Sequence, residues 1–271
     1  MKKIIYATDF SNNSVAALQY AAEMARVMED DLIALHVYPA HEADKPKSEI
    51  LRDQQKELQD FCKIHLKENY QPHTISPAAV SGSNVAEEIL KFTKDLQVRM
   101  IIMGACGASK IKDTLLGTTT GEMIGKSSLP VLAVPPQYKY RQPKNIFFAS
   151  TLDKVELIYL KELIPLARSL NASIEIVHVT HLEEKDALIN LETFQKKVAK
   201  EITYSNINYR TLYSFEVFDT LKKAIEKEQP DLVLMPEKKD LNIFKRGIVR
   251  DRIKRMQSCS PSPLLTFPAS V

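Results

Sequence analysis

Met100-Ile101-Ile102-Met103-Gly104, then Gly107, then Gly117-Thr118-Thr119, is the stretch on which the reading of this 271-residue chain turns. Four apolar residues in a row suit a strand buried on both faces, and a strand gains nothing from glycine. Yet five of the seven glycines fall between positions 104 and 125, so they serve backbone shape or the close approach of backbone to a ligand. Gly104 stands where the strand ends, and Gly117-Thr118-Thr119 where the next helical period opens. Successive loop N–H groups and the positive end of a helix together make an anion site that requires no basic side chain. The hydroxyls of Thr118 and Thr119 add donors, and Thr119 and Glu122 have the spacing of a capping box.

Outward from this motif, Lys3 to Thr8, Leu32 to Val37, Arg99 to Gly104 and Leu129 to Val134 read as short buried strands. Helical periods lie between them. Ala16, Leu18, Ala21, Ala22, Ala25 and Met28 form one apolar stripe, capped by Ser11 or Asn12. Ile50, Leu51, Leu58, Phe61, Cys62 and Leu66 form a second, and Val85, Ile89, Leu90 and Phe92 a third. Strands that alternate with helices need crossover connections, which make the sheet parallel and cover both of its faces, so the class is α/β. Ligands of such sheets bind outside the carboxyl ends of the strands. The first strand ends as Ala7-Thr8-Asp9-Phe10-Ser11, which brings Asp9 to that edge, where it can accept from a ribose hydroxyl or adenine amine, hold magnesium, or cap the following helix. The second strand ends at His36-Val37, whose backbone can pair with an adenine edge.

The chain repeats itself. Ile4-Ile5-Tyr6-Ala7-Thr8 matches Ile146-Phe147-Phe148-Ala149-Ser150 at an offset of 142 residues, and His36-Val37 matches His178-Val179 at the same offset. Met100 to Met103 aligns with Leu232 to Met235 at 132, and Pro130-Val131-Leu132 with Pro263-Leu264-Leu265 at 133, so the second copy is shorter in its middle. The segment from Pro135 to Pro143 holds three prolines and denies helical continuity, which places the joint near 140.

With these residues in place, the whole chain resembles a tandem member of the universal stress protein family. Asp9, Val37 and Gly104-x2-Gly107-x9-Gly117-Thr118 match that family's ATP-binding pattern. The resemblance implies two open parallel five-stranded sheets of order 3-2-1-4-5, helices on both faces, packed through their last strands as an intramolecular pseudo-dimer. It implies a nucleotide set of Ala7, Asp9, Val37, Met103, Gly104, Gly107, Gly117, Thr118 and Thr119. Cys106 departs from the pattern, since the family more often has a basic or polar residue there. The second copy lacks the motif: Pro236 replaces Gly104, Lys239 replaces Gly107, Arg250-Asp251 falls at the Gly-Thr position, and Thr151 replaces Asp9. Residues 1–138 are therefore expected to form a domain with an intact site, and 139–271 one with a degenerate site.

Composition narrows the setting. A net charge of +3 with both signs mixed is too weak a bias to argue for nucleic acid or membrane by itself, so nucleic acid is not expected as a partner, and no apolar run approaches the length of a membrane helix. Cys62, Cys106 and Cys259 lie far apart and suggest neither disulfides nor zinc. A cytoplasmic protein is expected, with an adenine nucleotide (ATP, ADP or AMP, with or without magnesium) and an unidentified protein as partners, and a further homodimer as an option. Neither a catalytic residue nor a protein metal site is indicated, so the chain is expected to hydrolyse ATP slowly at most. A nucleotide-free scaffold using the basic run from Lys238 to Arg255 is the rival reading. An ATP-using enzyme of the PP-loop type is disfavoured because the loop after the first strand has no glycine. Gly121-x3-Gly125-Lys126-Ser127 mimics a P-loop but precedes a strand, so Gly125 is read as a helix C-cap. His36 and His178, at equivalent strand ends, are read as structural.

Overall fold

The lowest-polarity segments pair into parallel ladders. In the computed structural model, which describes residues 1–39, 46–71, 74–105, 118–181, 186–237 and 252–268, Lys3–Thr8 forms β1, and its last five residues are all buried. Asp31–Tyr38 (β2) and Val98–Gly104 (β4) flank it, with Ile75–Ser81 (β3) beyond β2 and Val131–Val134 (β5) beyond β4. The strand order is thus β3-β2-β1-β4-β5, all parallel. Val15–Met28 (α1), Lys47–Leu66 (α2), Val85–Thr93 (α3) and Thr118–Lys126 (α4) connect the strands. Chain progression reverses at β1. With right-handed crossovers that reversal sends α1 and α2 to one face and α3 and α4 to the other, and each of these two pairs is in contact.

The chain divides into two compact units, Met1–Tyr140 with Gln257–Cys259, and Arg141–Met256 with Ser260–Val271. The second unit repeats the design. Asn145–Ser150 (β6) is central, Ser173–Thr180 (β7) and Ile207–Tyr213 (β8) lie to one side, and Leu232–Leu234 (β9) and Leu264–Thr266 (β10) to the other. Glu156–Leu170 (α5), Ala187–Glu201 (α6) and Val217–Glu228 (α7) belong to it, and a helix over 252–259 begins in it, with Gln257–Cys259 counted in the first unit. Each unit therefore has the order 3-2-1-4-5.

Charge is buried at the amino ends of the strands, and always with partners. Asp30 is 6% exposed; its carboxylate accepts from Arg99 through two nitrogens and from the Lys2 amide at 2.9 Å. In the second unit the signs exchange: Asp231 stands at the position equivalent to Arg99, accepts from the amides of Lys144 and Asn145 at 2.9 Å, and pairs with Arg141. Either arrangement satisfies a carboxylate that would otherwise be costly to bury.

Several local expectations are corrected. The third strand, β3, has no counterpart among the strands read above because it carries Pro77 and is only partly buried; proline is tolerated there because β3 is an edge. The first helix does not begin at a Ser11 or Asn12 side-chain cap. A 3-10 turn, Asn12–Ser14, intervenes, and Ser11 makes no side-chain cap bond because its hydroxyl is drawn to Asp9. The buried stripe of α1 runs through Ala17, Tyr20 and Met24 rather than Ala22 and Met28, and α2 buries Ile50, Leu58, Cys62 and Leu66 while Leu51 and Phe61 are half-buried. Gly125 lies within α4 and not beyond it, and none of the described glycines has positive φ.

Two measurements check this packing. Ile102→Ala, at a fully buried site in β4, should lower the urea-derived stability of the first unit by about 2–5 kcal/mol, whereas Val85→Ala on the surface of α3 should change it by less than about 0.5 kcal/mol. Burial pushes the Cys62 thiol up to about 12, so a thiol reagent near neutral pH should leave Cys62 unlabelled in the native chain and label it once urea is added. Because the folded value is raised, the corresponding stability is present at neutral pH and declines as pH climbs from the ordinary 9.0 toward about 12. Cys62→Ala should flatten that decline.

Candidate functional site

The carboxyl ends of β1, β2 and β4 and the start of α4 converge in the first unit. Ala7 is paired with Met103 across β1 and β4, and both are buried. Gly104 closes β4 opposite Val134, and the Ala105 amide continues that pairing with a 2.8 Å bond to the Val134 carbonyl. Thr120, only 3% exposed, donates its hydroxyl to the Gly104 carbonyl at 2.8 Å and so fixes the first turn of α4 to the end of β4. The first turn of α4 is thereby brought beside the end of β4.

Val37 lies one residue past the β1–β2 ladder, which ends at the Thr8–His36 pair. The Tyr38 carbonyl accepts from the Gly82 amide on the β3 side at 2.9 Å. By strand alternation the backbone of Val37 faces the other way, toward the side on which β1 has already ended. An edge of a planar base is the kind of group such a position can take.

Asp9 is exposed just beyond β1, where its Oδ1 accepts from the Ser11 amide at 3.1 Å and the Ser11 hydroxyl at 2.6 Å. These bonds form an Asx turn and not a cap on α1. The turn is anchored from below: Thr8 Oγ1 accepts from the Phe10 amide at 3.0 Å and meets Ser14 Oγ at 2.8 Å, while Tyr6 donates to the Ser14 carbonyl at 3.0 Å. Burial raises the Tyr6 phenol far above its ordinary value, so it stays a neutral donor. Phe10 takes φ 59°, and its ring lies 4.3 Å from His36. His36 Nδ1 in turn meets the Thr8 carbonyl at 2.8 Å.

Ala7, Asp9, Val37, Met103 and Gly104 are thus gathered at one sheet end beside the helical turn that contains Thr119. Gly107 and Gly117 lie outside the described residues, as do Cys106 and the basic run from Lys238 to Arg250; Thr118 is described by its backbone alone. The Glu122 carboxylate is engaged by Lys126 at 2.7 Å and Asn84 at 3.4 Å, which turns it to the helix flank and away from the expected capping box with Thr119. Thr120, Phe10 and Ser14 went unread in the sequence. For Thr120 a signal exists, because Met123 and Ile124, three and four residues on, mark the inward face of α4.

The same strand end in the second unit is built differently. His178 Nδ1 meets the Ser150 carbonyl at 3.0 Å, the Leu152 amide donates to Ser150 Oγ at 2.9 Å, and Leu152 takes φ 61°, so the turn itself is copied. At the position of Ser14, however, stands Glu156, 1% exposed, whose carboxylate accepts from the hydroxyls of Ser150 and Thr151 and from the Thr151 amide at 3.0 Å. Pro236 replaces Gly104, and Tyr159, at the position of Ala17, donates to the Glu237 carbonyl at 2.9 Å and stacks on Phe267.

Sequence comparison accounts for this architecture. The model of the Universal stress protein family matches residues 1–135. The universal stress protein MJ0577 of Methanocaldococcus jannaschii is 27% identical over 156 residues, which span 49% of this chain and 94% of that protein. A solved structure of MJ0577 is 30% identical over 52% of this chain and 98% of its own, with a TM-score of 0.42. A universal stress protein of Archaeoglobus fulgidus is similar in fold over 99% of this chain and 98% of its own, at a TM-score of 0.72 and 17% identity. An open parallel sheet with a motif-bearing strand end defines the class, and within that class the chain belongs to the universal stress protein family.

Thr120→Val should remove the clasp on Gly104 and lower stability by about 1–3 kcal/mol, read from urea unfolding of the first unit, while Thr120→Ser should stay close to the parent.

Proposed function

We propose that the chain binds one adenine nucleotide, ATP, ADP or AMP, in its first unit, and that occupancy regulates conformation or partner binding in a cytoplasmic stress response. The supporting observation is the meeting of Asp9, Val37, Met103-Gly104 and the start of α4 at one sheet end, although these segments are far apart in sequence. In this reading the Val37 backbone pairs with the adenine edge and Asp9 accepts from the ribose. Ala7 and Met103 line the base pocket, and Gly104 and Gly107 allow close approach. Gly117, Thr118 and Thr119 hold the phosphates at the positive end of α4. Magnesium fits as a phosphate-borne ion that Asp9 supplements with a single carboxylate, the usual mode for this cation. Slow hydrolysis is the most the site is expected to support, because positioned phosphates alone do not orient an attacking water.

The second unit is proposed not to bind nucleotide. A proline and a tyrosine stand where the first unit has Gly104 and Ala17, and the Glu156 carboxylate takes up the hydroxyl and amide donors of that strand end. The buried Cys62 thiol, which is in no disulfide, suits the proposed reducing compartment.

The test is to purify the chain without added nucleotide, release any ligand by acid and identify it by mass spectrometry. Adenine nucleotide at about one per chain, absent from Gly104→Val, is expected. For a parent stripped of ligand, Mg-ATP at about a hundred times its dissociation constant should stabilise the first unit by about 2.7 kcal/mol. No released nucleotide together with no stabilisation would sink the proposal and favour a nucleotide-free scaffold.

A further inference from the structure

Next to the strand end, a groove of about 570 Å³ runs along the outer side of α2. Its floor is aromatic: Phe10 and Phe61 meet edge to face with centroids 5.6 Å apart. Along its rim Asp53, Glu57, Asp60 and Ile64 follow one another at i, i+4, i+7 and i+11, so they share a single stripe of the helix. Ile64 is 65% exposed. Among the described lining residues Lys56 is the one cation against three carboxylates. An outward helix face normally mixes charges over water. Here three carboxylates line half-buried aromatic and exposed apolar surface, with Lys56 on the lining and Lys63 at 3.9 Å from Asp60, which leaves Asp53 and Glu57 as the acidic end of the rim.

We propose that this groove docks an arginine-bearing basic segment of a partner protein. Charge selects a cation, and the floor selects which one. A guanidinium is planar and weakly hydrated; it pairs with a carboxylate through two N–H groups while stacking on a ring. An ammonium is compact, more strongly hydrated and stacks less well. The aliphatic stem of arginine covers Ile64, which gives that exposed side chain a partner.

The groove also touches the proposed nucleotide site through one residue. Phe10 follows Asp9 directly, is held in the left-handed region at φ 59°, and wedges its ring between His36 and Phe61. A ligand that repositions Asp9 therefore moves the floor of the groove. This coupling rests on the nucleotide reading; the docking surface does not.

The experiment titrates the full chain into fluorescein-labelled tetra-arginine amide and follows anisotropy, with tetra-lysine and tetra-glutamine amides as comparisons. Tetra-arginine should bind several-fold more tightly than tetra-lysine and far more tightly than tetra-glutamine, and its binding should weaken as salt rises. The double variant Asp53→Asn, Glu57→Gln should weaken tetra-arginine about fivefold, and Phe61→Leu should erase the preference of arginine over lysine. Glu226→Gln, on α7 of the second unit and outside the groove lining, should change nothing. Equal binding of tetra-arginine and tetra-glutamine, or indifference to the double variant, overturns the proposal. So does a concentration-dependent dimer in sedimentation that Ile64→Asp dissolves, since a second copy would then be the occupant. Repeating the titration with Mg-ATP separates the two readings. Unchanged tetra-arginine affinity in a chain that binds ATP removes the coupling alone, whereas tetra-arginine binding in a chain that ignores ATP keeps the groove and removes the nucleotide.

Discussion

The first unit depends on the double ladder of β1. This strand pairs with β2 and β4 at once, its residues from Ile4 to Thr8 are buried, and every other element is positioned by those two registers. A strand in that place cannot turn until both ladders release it, which happens at Thr8. The next residues must then satisfy their own backbone groups at the sheet edge, and they do so with short polar side chains: Thr8 takes the Phe10 amide, Asp9 takes the Ser11 amide, and His36 meets the Thr8 carbonyl. The left-handed Phe10 follows from that geometry, and so does the outward presentation of Asp9. The site is thus a by-product of how a central parallel strand ends. β6 and Leu152 repeat the solution with different side chains.

Much of this was legible in the sequence because the governing signals are local and strong. Unbroken apolar runs announced β1, β2, β4 and β5, and the alternation with helical periods announced a parallel sheet. The repeat announced the second unit. What escaped detection depends on the partner rather than on the residue. β3 has neither an apolar run nor alternation, since an edge strand with Pro77 is held mainly by β2. The beginning of α1 was misplaced because Ser11 and Ser14 have the chemistry of caps and spend it on Asp9, Thr8 and the Ser11 carbonyl instead. Gly125 resembles a helix terminator, yet nothing lies within 4 Å of where its side chain would be, so a small residue there records open space and not a special backbone. Of Thr118, Thr119 and Thr120, composition cannot say which faces inward; only the phase set by Met123 and Ile124 does.

Stability and ligand chemistry are placed at opposite ends of the sheet. The buried carboxylates of Asp30 and Asp231 sit where strands begin, held by backbone amides and by the more exposed Arg99 and Arg141. At the other end of the first unit the groups are hydroxyls, carbonyls, the exposed Asp9 carboxylate and small side chains. The exchange of sign between Arg99 and Asp231 shows that the first end requires a neutralised carboxylate and is indifferent to which strand supplies it.

Glu156 bears on how many changes separate the strand end of the second unit from that of the first. In the first unit the strand end closes on the serine hydroxyl of Ser14, whereas in the second a carboxylate of the chain itself takes the local donors. Shortening Glu156 to serine would empty that place but leave Pro236 in the strand-end loop and the Tyr159 ring against Phe267. Replacing Pro236 alone would leave the carboxylate. Each single replacement gives up packing or hydrogen bonds that the other residues do not restore. The two strand ends are in this sense locked apart: Glu156, Tyr159 and Pro236 would have to change together before one half took the form of the other.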